Sequence, residues 1–173
     1  MLLDKLKSIL PNDDSKYPVD FQTIIQNLYS ASKPDDENVL FIWDAYRFSQ
    51  DAHAGQLRRS GEPYFSHCAS VGITLSKWKM DSRTIAAGLL HDVIEDTQIS
   101  RKDMVIKFGE EVTDLVDGVS NLSGMKFSSR MEKQAENFMK MFLSVAKDLR
   151  VIIIKFADRL HNMTTIGYLP LIK

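Results

Sequence analysis

Cysteine is almost absent from this sequence. Of 173 residues only Cys68 carries a thiol, so no intrachain disulfide can form and the composition suits a reducing compartment. Long apolar runs are missing too. No window approaches the ~20 apolar residues of a membrane-spanning helix. The opening Met1-Leu2-Leu3-Asp4-Lys5-Leu6-Lys7 alternates charge with apolar residues, unlike a secretory signal. A third absence is an excess of one charge. Lysine and arginine number 22 against 23 aspartates and glutamates, a net charge of −1, which argues against a general nucleic-acid coat. These absences predict a soluble, cytoplasmic protein with no membrane and no direct nucleic-acid partner.

What remains is an ordinary globular composition, 44% hydrophobic, long enough for one domain with its own core. The patterning is helical throughout. A short amphipathic helix ends at the turn cluster Pro11-Asn12-Asp13-Asp14-Ser15. A second helix is expected over Val19 to Tyr29, broken by Ser32-Lys33-Pro34-Asp35. A third is expected over Glu37 to Gln56, with Phe41, Ala45, Phe48 and Ala52 on one buried stripe. The loop from Arg58 to Pro63 leads to a helix through His67 and Leu75. Asp81 is placed to cap a helix over Ser82 to Ile94, and Ser100-Arg101-Lys102-Asp103 resembles a capping box. Gly109 and Gly118 fall near helix ends, and Ser120 to Ser129 is polar. Val151-Ile152-Ile153-Ile154 is β-branched and could form a strand. However, Phe138, Met141, Phe142, Val145, Leu149, Ile152, Ile153, Phe156 and Leu160 recur at a helical period, which predicts a helical core segment. Asp148 could begin a fresh helix there. The fold class expected is all-α.

The chemistry concentrates in His91-Asp92-Val93-Ile94-Glu95-Asp96. A nitrogen donor and an oxygen donor stand side by side, and two more carboxylates follow about one turn later. Burying such a group costs solvation unless a cation compensates it. His67 and Asp158 are the candidates to complete the set. Asp158 lies on a strongly apolar helix, where an ion or Arg159 must balance its charge. Two imidazoles and two carboxylates suit Mn²⁺, Fe²⁺ or Zn²⁺ with positions left open, and a closed structural zinc site would need more cysteines. Glu95, at i+4 from His91 and i+3 from Asp92, stays near the ion, and Glu95 and Asp96 could orient a water or take its proton. His53 and His161 have no spaced partner set and read as structural.

The order of several blocks resembles the HD hydrolase domain of the RelA/SpoT-homologue family, the enzymes that make and degrade the alarmone (p)ppGpp. The blocks are His53-Ala54-Gly55-Gln56, Arg58-Arg59-Ser60-Gly61-Glu62-Pro63-Tyr64, His67, and Leu89 to Thr97. They continue with Phe108-Gly109, Leu115 to Val119, Gln134-Ala135-Glu136-Asn137, and Lys155 to Met163. The likeness runs from about Glu37 to Pro170. It implies a single HD-type helical domain at 35–173, preceded by a helical extension at 1–34. It implies one Mn²⁺ held by His67, His91, Asp92 and Asp158, with Glu95 and Asp96 assisting the attacking water. It implies a 3′-pyrophosphohydrolase of ppGpp or pppGpp in the stringent response, with Arg58, Arg59 and Ser60 on one side of the guanosine pocket and Asn162, Thr165 and Leu169 on the other. Arg58 and Arg59 suit this chemistry, since a guanidinium stacks on purines and forks onto phosphate oxygens. The resemblance further implies an N-terminal portion of a longer protein whose synthetase and regulatory domains engage the ribosome.

Three positions depart from the pattern. Cys68 stands where proline is common, Thr164 where arginine often follows His-Asn-Met, and Arg59 in place of a frequent lysine. Two other functions compete. Another HD-type phosphohydrolase would leave the Arg58-to-Tyr64 block unexplained. A catalytically silent regulatory domain is disfavoured because the metal ligands and the carboxylate pair are all intact.

Overall fold

The computed structural model describes residues 17–30, 35–121 and 147–165. Among these residues the chain is helical, and its one β-bridge, Leu57 to Pro63, merely pinches a loop. In chain order the helices are α1 (Val19–Leu28), α2 (Asp36–Ala52), α3 (Phe65–Lys77), α4 (Ser82–Leu90), α5 (Val93–Asp96), α6 (Arg101–Asn121) and α7 (Arg150–Thr164). The expected first helix, the segment 122–146 and Leu169 lie outside the described residues. No helix among the described residues is long and apolar enough to cross a membrane.

Helix α4 is the axis of the fold. Its residues from Thr84 to Leu90 are all buried, the signature of a helix surrounded on every side. It packs against α2, α3, α6 and α7. Two glycines set how closely α3 and α4 approach. A Cβ on Gly88 would stand 2.2 Å from Leu75 Cδ1, and one on Gly72 would stand 2.7 Å from Leu89 Cδ2. Gly118 does the same for α6 against Val151 of α7, where a Cβ would meet Val151 Cγ2 at 2.8 Å. The first contact brings together the elements that carry His67 and His91, and the second seats the helix that carries Asp158.

The stretch read as an extension adds α1 to this same core through Phe21, Ile24 and Ile25. Helix α2 ends at Ala52 rather than Gln56, and its buried face is centred on Val39, Ile42, Trp43, Tyr46 and Ser49. Of the stripe expected there only Ala45 is fully buried. Phe41 and Phe48 sit at its edge, against Phe108 of α6. The stacked Trp43 and Tyr46 rings, with the Phe21 ring tilted edge-on to Trp43, fill the interior instead.

Asp81 caps α4 as expected, its Oδ1 accepting from the Arg83 and Thr84 amides at 3.0 Å each. Asp81→Ala should lower unfolding free energy by about 1 to 2 kcal/mol, read by urea denaturation. The Ser100–Asp103 capping box forms reciprocally. In α6 the chain turns at Gly109, whose φ of 82° suits glycine.

The β-branched run Val151–Ile154 is helical, and Asp148 Oδ1 accepts from the Arg150 amide at the start of α7. The expectation that Leu149, Phe156 and Leu160 are core is corrected, since all three are exposed. The inward face is Val151, Ile154, Ala157 and Asp158. Two apolar stripes overlap on this helix. The one that docks includes Asp158, which finds partners inside.

Candidate metal centre

The expected helix over Ser82 to Ile94 breaks after Leu90. His91 is the C-cap of α4, and Asp92 is the N-cap residue of the one-turn α5. The doublet therefore stands in a joint between helices. The joint is held by His91 Nδ1, 2.8 Å from Gly88 O, and by the Ser120 hydroxyl, which donates to His91 O at 3.3 Å. One turn of α5 then carries Glu95 and Asp96 to the surface.

His91, Asp92, His67 and Asp158 converge. Asp92 Oδ2 lies 3.0 Å from His91 Nε2 and 3.7 Å from His67 Nε2, which in turn is 3.3 Å from Asp158 Oδ1. The donor atoms of His67, His91 and Asp158 fall within 4.8 Å of one another. These four side chains come from three helical regions far apart in sequence.

The donor set fits a divalent cation, and His91 supplies the test. A carbonyl only accepts, so Nδ1 must carry the ring hydrogen of neutral His91, leaving a lone pair on Nε2. That nitrogen is buried and has no hydrogen-bond partner. It faces the Asp92 carboxylate at 3.0 Å, two electron-rich atoms in want of a positive charge between them. A proton can take that place. Burial lowers the affinity of His91 for it, but Asp92, Asp158 and the Gly88 carbonyl together offset the burial and the net pKa is raised. Burial likewise pushes Asp92 up, while His91, His67 and Tyr64 pull it down to about 2.

Of the two compensations expected for Asp158, an ion or Arg159, the second is corrected, since Lys155 takes the place of Arg159. Burial would raise the Asp158 pKa, but His67 and the Lys155 ammonium, 2.9 Å from Oδ2, hold it well below the usual carboxylate range. Asn162 Nδ2 also donates to Oδ1. Arg159 instead is exposed at the cavity rim. Cys68 Sγ comes within 4.8 Å of donor atoms of His91 and Asp92, yet burial pushes its thiol pKa strongly up and keeps it protonated.

His161, read from the sequence as structural, touches the centre. Its Nδ1 is 2.8 Å from His67 Nδ1. For His67 to offer a lone pair at Nε2, its Nδ1 must donate, and the acceptor is His161. Burial and the neighbouring His67 lower the His161 pKa to about 4, which keeps it neutral and able to accept. The i+3 spacing from Asp158 was the available signal, and it acquires meaning only once His67 lies opposite. His161→Ala should weaken divalent-metal affinity about 10- to 100-fold, measured by calorimetric titration.

A cavity of about 510 Å³ opens above these side chains. Glu95 and Asp96 line it on one side, both exposed. Burial and the charges of Asp92 and Asp96 raise the Glu95 pKa, so it holds a proton more readily than an ordinary glutamate. Arg58, Arg59 and Ser60 line another wall. Arg58 donates to Asn162 Oδ1 at 2.8 Å and lies 3.5 Å from the Thr165 hydroxyl, so these expected pocket residues meet across the cavity. The loop bearing them turns through Gly61 at φ 86°, closed by Arg58 N donating to Glu62 O at 2.8 Å. Lys155 and Arg159 add a basic edge that the sequence reading had not assigned to the pocket.

An all-helical core with a His-Asp doublet at a helix joint, completed by a distant histidine and aspartate, defines an HD domain. A family model described as HD domain matches residues 45–170. The bifunctional (p)ppGpp synthase/hydrolase SpoT of Escherichia coli (strain K12) is 47% identical over 145 residues, 84% of this chain and 20% of that protein. A probable guanosine-3′,5′-bis(diphosphate) 3′-pyrophosphohydrolase of Synechocystis sp. is 54% identical over 128 residues, 74% of this chain and 17% of that one. The solved structure of a metazoan ortholog of SpoT, described as hydrolysing ppGpp and playing a role in starvation responses, superposes with a TM-score of 0.62. It is 30% identical, covering 79% of this chain and 74% of that one. The chain belongs to the HD-domain family and, within it, to the RelA/SpoT homologues. It spans about a fifth of the length of the curated relatives it matches.

Proposed function

We propose that this domain is a cytoplasmic, Mn²⁺-dependent hydrolase that removes pyrophosphate from the 3′ position of ppGpp or pppGpp, giving GDP or GTP. The observation that carries the reading is the orphaned His91 Nε2 facing Asp92 beneath a cavity edged by Arg58, Arg59, Lys155 and Arg159. A polyanion on a protein of net charge −1 needs local attraction, and these cations supply it. The relatives described as 3′-pyrophosphohydrolases support the substrate.

His67, His91, Asp92 and Asp158 hold the cation. When bound, Mn²⁺ supplies Lewis-acid charge and makes water acidic enough to act near neutral pH. Glu95 and Asp96 orient the water and take its proton as its oxygen bonds to the phosphorus next to the ribose. The bond from that phosphorus to the 3′ oxygen breaks, and the ribose hydroxyl regains a proton. Arg58 and Arg59, with Ser60, hold the guanosine end, and Asn162 and Thr165 fix Arg58 from the opposite wall. Leu169 belongs to the same pocket in this reading. The domain acts within a longer protein carrying synthetase and regulatory parts that engage the ribosome. Turnover with Mn²⁺ should release pyrophosphate from ppGpp and not from GTP or ATP, and equal turnover of all three would overturn the assignment.

A further inference from the structure

Tyr64 stands between the metal ligands and the carboxylate pair. Its hydroxyl lies 2.8 Å from Asp92 Oδ2 and 2.6 Å from Asp96 Oδ2. One hydroxyl has one hydrogen and can donate to only one of two ionised carboxylates. That hydrogen can go to either, so the one hydroxyl fixes the Asp92 and Asp96 carboxylates against each other. The ring is itself braced. It stacks on His53 with centroids 4.8 Å apart at 23°, and His53 Nδ1 lies 2.8 Å from Gln56 Oε1. Gln56 Nε2 then donates to the Asp96 carbonyl at 2.9 Å. The His53-to-Gln56 block, idle in the mechanism above, thus closes a ring of contacts from His53 through Gln56 and Asp96 to Tyr64.

We infer that Tyr64 is a positioning residue. Braced by His53 and Gln56, its hydroxyl holds the Asp96 carboxylate beside the metal ligand Asp92. The part concerning Asp96 rests on the hydrolase reading. The part concerning Asp92 does not, because it needs only the metal.

Tyr64→Phe keeps the stack on His53 and removes only the two oxygen contacts. Titrated with Mn²⁺ alone, this variant should bind about 10- to 100-fold more weakly than the wild type. At saturating Mn²⁺ its kcat on ppGpp should fall at least about 10-fold, with KM changing less than about twofold. In the Asp96→Asn background, Tyr64→Phe should cost little further kcat, since its target there is already altered. Wild-type Mn²⁺ affinity together with wild-type kcat overturns the inference. So does an effect on KM alone, or full additivity with Asp96→Asn. If the wild type leaves ppGpp intact, the hydrolase reading fails, and the Mn²⁺ titration alone then decides for or against Tyr64. Should Tyr64→Phe unfold, Gln56→Ala tests the same brace and should lower kcat severalfold with Tyr64 in place; unchanged kcat overturns it.

Discussion

Asp158→Asn is expected to abolish metal-dependent pyrophosphate release while the protein stays folded. The substitution preserves volume and removes the charge that faces His67 and Lys155. A cation bound by two imidazoles and two carboxylates would lose one of its anionic donors. The loss in kcat/KM should exceed the ~100-fold typical of removing a group that only orients a ligand. Circular dichroism should stay helical, because the apolar face of α7 still docks through Val151, Ile154 and Ala157. Chelation of the wild-type protein should reproduce the loss, and added Mn²⁺ should reverse it. Full turnover in excess chelator would sink the metal mechanism.

Glu95→Gln is expected to separate binding from chemistry. Glu95 is exposed, and no atom of it joins the ligand cluster. Mn²⁺ affinity should therefore stay close to that of the wild type. The amide cannot accept a proton at neutral pH, so kcat should fall about 10²- to 10⁴-fold, the range for a positioned acid or base. A large loss of Mn²⁺ affinity would instead place Glu95 among the ligands, and an unchanged kcat would remove it from the reaction.

Much of this was legible along the chain because it depends on local chemistry. Apolar spacing marks helices regardless of what they pack against, and a side chain such as Asp81 caps the residues that follow it. The His91-Asp92 doublet was conspicuous because such a pair is costly without a cation. The ends of its helix were less legible. The break after Leu90 depends on His91 turning back to Gly88 and on Ser120, 29 residues away, holding the His91 carbonyl.

Other features had no sequence signal of their own. His161 was indistinguishable from a structural histidine until α7 lay against α3 and put it opposite His67. Phe156 and Leu160 matched a core stripe as well as Ile154 and Ala157 did. Which stripe turned inward depended on Asp158 finding His67, Lys155 and Asn162. Lys155 rather than Arg159 balances that charge because i+3 on the docked face points to the site.

The amino-acid order by itself determined helical class, the capped starts of α4 and α6, and the four candidate donors, since each follows from periodicity, residue type or motif. Tertiary structure alone decided where the doublet's helix ends, which face of α7 is buried, and which neighbours fix the tautomers and charges of the donors. Those outcomes are set by distances between residues up to about a hundred positions apart, and a distance of that kind exists only after the helices have packed.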